Sequence, residues 1–109
     1  MNLLYLNSNI MGQGNPELGK NLLINFIEKV YNSIEIDIIL CVNSGAFLTT
    51  NTQKTIEIFK RFEQKGTVIS TCETCLDFYS IREKLQVGNV GSMELLTDIM
   101  YQADKVIRP

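Results

Sequence analysis

Cys72 and Cys75 are the residues of this chain best suited to do chemistry. They form a C-x-x-C with Glu73 and Thr74 between them, after a β-branched run and before a helical one. Free backbone N–H groups and the partial positive charge of a helix start favour a thiolate, lowering a pKa that is about 8.5 in free cysteine. Two thiols at this spacing can also close a local disulfide, so one can resolve a species formed on the other. Glu73 sets a negative charge beside the pair, and the 109-residue sequence contains no histidine. Activation must therefore come from backbone, helix dipole, or a cation such as Lys20 or Arg82 brought near by folding.

The elements that must position this pair read clearly. Leu3 to Leu6 is a short apolar strand, followed by a glycine-bearing loop, Met11-Gly12-Gln13-Gly14-Asn15-Pro16. Pro16 suits the first turn of a helix and Glu17 its positive end. Leu18, Leu22, Leu23, Phe26, Ile27 and Val30 then recur at amphipathic spacing. Ile36 to Val42 is nearly continuous in apolar residues, as a strand buried on both faces should be. It places Cys41 in the core. A second helix is predicted to start near Thr50 to Thr52, bury Ile56, Phe59 and Phe62, and stop at Gly66. Thr67 to Thr71 is a third strand; after the cysteine pair a short helix should run through Leu76, Tyr79 and Leu85. Val87 to Val90 could add a strand, a point the sequence leaves open. Ser92 can cap a last helix carrying Leu95, Leu96, Ile99 and Met100, and Lys105 to Ile107 closes as a final strand.

Strands alternating with helices imply right-handed crossovers and one α/β domain, a mostly parallel sheet covered on both faces. In such sheets, sites form beyond the carboxyl ends of the strands. The polar or glycine-rich strand ends fall at Asn7 to Gly14, Asn43 to Thr49, and Cys72 to Cys75. Asn7, Ser8, Met11, Gly12, Gly14, Asn43, Ser44, Gly45 and Thr74 are therefore expected to form a binding rim around Cys72 and Cys75.

Composition and other motifs narrow the function. A net charge of -2 and a pI near 5.0 give no reason to expect a nucleic acid or an anionic membrane as partner. The N-terminal apolar run is too short for a membrane span and lacks the basic start of a signal peptide, so a cytoplasmic location is expected. A structural zinc needs about four ligands, and three cysteines without histidine could supply them only across subunits, so no metal is expected. A thioredoxin-like oxidoreductase would oppose its C-x-x-C with a cis-proline, but Pro16 and Pro109 are badly placed for that role and tryptophan is absent. Gly12-Gln13-Gly14 is only a fragment of a dinucleotide fingerprint, with Asn43 where an acidic residue is needed. Asn7, Ser8 and Thr71 stand where a response regulator needs carboxylates. No cofactor is expected. Both cysteines could also simply pack in the turn, as free cysteines often do.

The order Leu6-Asn7-Ser8, Met11-Gly12-x-Gly14, Glu17-Leu18-Gly19, Asn43-Ser44-Gly45, Cys72-x-Thr74-Cys75-Leu76-x-Phe78-Tyr79 and Ala103-Asp104-Lys105-Val106-Ile107 resembles the DsrE-like domain of YedF-type proteins. These are described as sulfurtransferase-like or selenium-metabolism proteins. The resemblance spans essentially the whole chain, and its most specific part is the cysteine block. It implies a three-layer DsrE-like sandwich with a parallel sheet of about five strands, and a homo-oligomer. It also implies a persulfide carried by Cys72, exposed on a loop rim, with Cys75 as the resolving or second thiol. The sulfur would come from, or pass to, a TusA-like sulfur carrier protein as a separate partner. A non-catalytic, oligomeric or small-molecule-binding domain of the same shape is the alternative, and a thiol-disulfide oxidoreductase a third.

Overall fold

Alternation along each strand sets the layers. In the computed structural model, which describes residues 1–109, β1 (Asn2–Leu6) sends Leu4 and Leu6 to one side of the sheet and Leu3 to the other. β2 (Ile38–Cys41) and β3 (Val68–Cys72) alternate likewise: Ile39, Cys41 and Ile69 join the first side, Leu40 and Cys72 the second. β4 (Asn89–Gly91) and β5 (Lys105–Ile107) complete an all-parallel, five-stranded sheet of order β4-β3-β2-β1-β5. The register pairs Leu6 with Cys41, Cys41 with Thr71, and Cys72 with Gly91, so the carboxyl ends of β1 to β4 share one rim.

Four helices cover the sheet. α1 (Pro16–Ser33) begins as its sequence dictates: Pro16 opens it and the Asn15 side chain accepts the Leu18 N–H at 2.9 Å. α2 (Gln53–Gln64) lies beside α1, and Leu23, Ile27, Ile56, Phe59 and Phe62 bury against the first side of the sheet. α2 starts at the edge of the predicted window, with Thr52 as its N-cap residue, though the Thr52 hydroxyl donates to the Phe47 carbonyl at 3.0 Å and does not cap the helix. It ends where Gly66 takes a left-handed turn, as expected. α4 (Met93–Gln102), capped by Ser92, covers the second side with Leu96 and Ile99. The chain steps from β1 to β4 in one direction and returns across the sheet to β5. A right-handed return of this kind places α4 opposite α1 and α2. No helix is long and apolar enough to cross a membrane.

Two segments differ from the sequence expectation. Asn43–Leu48, read as an irregular strand end, winds into a 3-10 helix. The helix after the cysteines, α3 (Glu73–Phe78), stops well short of Leu85, with a separate 3-10 turn at Arg82–Lys84. Ser80 ends it in the left-handed region (φ 56°), where its N–H meets the Asp77 carbonyl and the Ile81 N–H meets the Leu76 carbonyl. Ile81 then packs on Leu76, and the pattern is a Schellman stop. The open question at Val87 to Val90 resolves as β4, displaced to Asn89–Gly91.

Candidate functional site

The site is built by the turn after β2 meeting the turn after β3. Thr49 and Thr71, both buried, tie the first turn to the end of β3 through hydroxyls 2.8 Å apart, and Thr49 also donates to the Ala46 carbonyl. Gly45 lies so close to β1 that a Cβ there would stand 2.3 Å from the Leu6 carbonyl oxygen, so no other residue fits without a shift. Asn43 adopts a left-handed backbone (φ 52°), which asparagine tolerates better than most residues.

That backbone points the Asn43 N–H at Cys75, and it donates to Sγ over 3.0 Å. The Asn43 side-chain oxygen accepts the Tyr79 hydroxyl at 3.0 Å. Tyr79 lies one helical turn beyond Cys75, on the same face of α3. Its ring packs on Phe47 with centroids 4.5 Å apart, and Phe78 meets it edge-on at 5.3 Å. Phe78 is 81% exposed. Glu73 lies 4.0 Å from Arg82, whose guanidinium also grips Asp77 through two bonds of 2.8 Å. Arg82 holds the Asp77 carboxyl below its ordinary range, and Lys20 lines a separate cleft beside Asn51 and Thr52.

Contrary to what the resemblance implies, Cys72 is not exposed on the rim. Cys72 has no solvent exposure, enclosed by Leu3, Leu40, Leu96 and Ile99, because α4 closes over the end of β3. Cys75, three residues later, is partly exposed. The expected lowering of the thiol pKa is also not found at Cys75. Burial pushes that thiol up; the Asn43 N–H pulls the other way, and the adjoining Cys72 adds to the rise. Cys41 is pushed to about 12 by burial alone. It faces the α1–α2 side of the sheet while Cys72 faces α4, so the three thiols do not converge on one ion.

The rest of the predicted rim divides. Asn43, Ser44 and Gly45 reach the site, and Thr74 is exposed on the first turn of α3. The Ser44 hydroxyl accepts the Asn9 N–H at 3.2 Å, and the Ser8 hydroxyl the Ile10 N–H at 3.1 Å, so both tie down the loop after β1. Asn7 is exposed at the head of that loop. Met11, Gly12 and Gly14 do not join the pair. Met11 packs on the α1–α2 core and donates its N–H to the Gly19 carbonyl, while Gly12 and Gly14 stand in open space. Phe47 and Tyr79 lie outside the expected rim; the four-residue spacing from Cys75 to Tyr79 is the signal that connects Tyr79 to the pair.

The arrangement offers one partly exposed cysteine, one backbone donor to its sulfur and one buried second thiol. It can present a nucleophile to a substrate and shelter a neighbour that reacts only with what Cys75 already holds. No family model matches the chain, and a search of curated proteins gives no match. Among solved structures, the chain is similar to the ychN protein from E. coli, at 17% identity with a TM-score of 0.65, covering 99% of this chain and 98% of that one. A conserved protein of unknown function, BT1422 from Bacteroides thetaiotaomicron, is similar at 16% identity and a TM-score of 0.64, covering 99% and 94%. These likenesses show a shared fold: the chain has the DsrE-like three-layer α/β sandwich of the ychN protein.

Proposed function

We propose that this protein is a sulfur carrier that takes a sulfane sulfur onto the Cys72–Cys75 pair, with Cys75 as the entry thiol. The observation that carries the reading is the partly exposed residue Cys75 on the strand-end rim, its sulfur held by the Asn43 N–H beside the buried Cys72. The resemblance to DsrE-like domains of YedF-type proteins adds the substrate class. The burial of Cys72 exchanges the two roles: Cys75 receives and Cys72 is the second thiol.

In the transfer step, the Cys75 thiolate attacks the terminal sulfur of a donor persulfide, R–S–SH. A bond forms between Cys75 Sγ and that sulfur, the donor S–S bond breaks, and RS⁻ leaves with the electron pair and takes up a proton. Nothing is oxidised or reduced overall, and the reverse step unloads the sulfur onto an acceptor thiol. A TusA-like sulfur carrier protein is the proposed exchange partner. A reducing cytoplasm, the proposed location, keeps both cysteines as thiols between transfers. The homo-oligomer that the resemblance implies would cover Val68 and Val106. Both belong to the α4 side of the sheet and stay 49% and 44% exposed beyond the single helix there.

The test is intact-mass spectrometry after incubation with a small persulfide donor, followed by peptide mapping. One added sulfur on Cys75, lost in Cys75→Ser and kept in Cys72→Ser, is expected. No adduct under conditions that load another sulfur carrier sinks the reading. The upward-shifted Cys75 thiol favours a second reading, a non-catalytic binding domain of the same fold, and that null result would leave it standing.

A further inference from the structure

We infer that Asn43 is a positioning residue for the Cys75 sulfur, aiming its own amide N–H at Sγ from a left-handed backbone that Tyr79 locks through the side-chain oxygen. Three independent contacts converge on this arrangement. The N–H reaches Sγ at 3.0 Å, the Tyr79 hydroxyl reaches Asn43 Oδ1 at 3.0 Å, and the Tyr79 ring is wedged against Phe47 at 4.5 Å. Gly45 fixes the turn from the other side, its N–H on the Val42 carbonyl at 2.8 Å and its Cα against the Leu6 carbonyl.

Beside the positive end of α3 itself, this N–H is the hydrogen-bond donor that favours an anionic sulfur. From the strand end, Cys72 opposes ionisation of Cys75. On α3 and the turn that follows it, Glu73 and Asp77 are paired with Arg82. The residues packed here from α4 are Leu96 and Ile99, β1 adds Tyr5 and the end of α3 adds Tyr79, and the turn from Asn43 to Leu48 contributes no titratable group. A hydrogen bond to the charged form of an acid favours that form, so the donor must be held in place to act. Left-handed backbone is unfavourable for an L-residue, and a side-chain bond that recognises it preserves the aim. The same N–H faces Sγ once that atom becomes the inner sulfur of a persulfide. The inference rests on Cys75 being the nucleophile of the pair, and not on the cargo being sulfur.

The experiment is the pH dependence of Cys75 alkylation by iodoacetamide, with the modified residue read by peptide mapping. Tyr79→Phe is expected to raise the midpoint by about half a pH unit, about threefold less thiolate at a given pH. Asn43→Gly, which keeps the left-handed backbone accessible but removes Oδ1, should give the same shift. Adding Tyr79→Phe to Asn43→Gly should change nothing further, because the same bond is already gone. Midpoints equal to that of the unaltered protein in both single variants, or shifts that add in the double, overturn the inference. Lost folding stability with an unmoved midpoint overturns it too, marking the contact as structural. Failure of sulfur loading with these midpoint shifts intact would count against the carrier reading alone.

Discussion

Asn43 and Cys75 stand 32 positions apart, yet the amide N–H of the first lies 3.0 Å from the sulfur of the second. The turn that makes this possible depends on a missing side chain. At Gly45, a methyl group would stand 2.3 Å from the Leu6 carbonyl oxygen, and backbone cannot give way as a flexible side chain can. Gly45→Ala should therefore destabilise the fold by about 1–3 kcal/mol, the range for overpacking a tight interior. It should also slow alkylation at Cys75 by moving Asn43. Urea unfolding and iodoacetamide kinetics on the same variant check both; a variant as stable and as reactive as the parent removes Gly45 from the site's framework.

Ser80 offers the opposite change. It holds a left-handed φ of 56° at the stop of α3, a conformation in which glycine avoids the steric cost of Cβ. Ser80→Gly should stabilise the protein by about 0.5–1 kcal/mol, net of the extra freedom glycine gives the unfolded chain. The urea midpoint should rise with no change in slope. A lower midpoint would show that the serine makes up for its strain elsewhere.

That residue also explains part of what the sequence could not say. The strands were legible because Ile36 to Val42 and Thr67 to Thr71 are β-branched and apolar, and α1 because its apolar spacing, Asn15, Pro16 and Glu17 agree. The end of α3 was hidden because its left-handed position is a serine and not a glycine. The strand-end rim was legible in outline, since any parallel sheet has one. Which thiol faces inward was not, because Cys72 is closed off by Leu96 and Ile99 from α4, twenty and more residues downstream. The Asn43 donor was equally hidden, since it depends on one left-handed residue after β2 and on Tyr79 to hold it.

The hydroxyl pair beneath the site should respond asymmetrically. Thr49 accepts from Thr71 at 2.8 Å while giving its own proton to the Ala46 carbonyl, whereas Thr71 has no other side-chain partner. Thr71→Val should cost about 1 kcal/mol, the worth of one hydrogen bond. Thr49→Val should cost about 2 kcal/mol, because it strands the buried Thr71 hydroxyl. The double valine variant should recover part of that loss. Equal losses in the two single variants would mean that the Thr71 hydroxyl is not stranded when Thr49 is lost, and would overturn this asymmetry.

Cys41 gives the protein an alkaline limit unrelated to its chemistry. The thiol has no exposure, and burial raises its pKa from 9.0 to about 12. The folded state therefore keeps the proton that the unfolded chain gives up. Stability from this group is complete below pH 9 and is lost as pH rises toward 12. For one proton the slope approaches about 1.4 kcal/mol per pH unit across that window. Tyrosines and lysines titrate there as well, so the contribution must be read as a difference. Urea unfolding of the parent and of Cys41→Val, compared at pH 8 and pH 10.5, should show the parent losing about 2 kcal/mol more than the variant. Parallel losses in the two proteins would mean that Cys41 ionises in the folded state, and that the α1–α2 side of the sheet admits water at high pH.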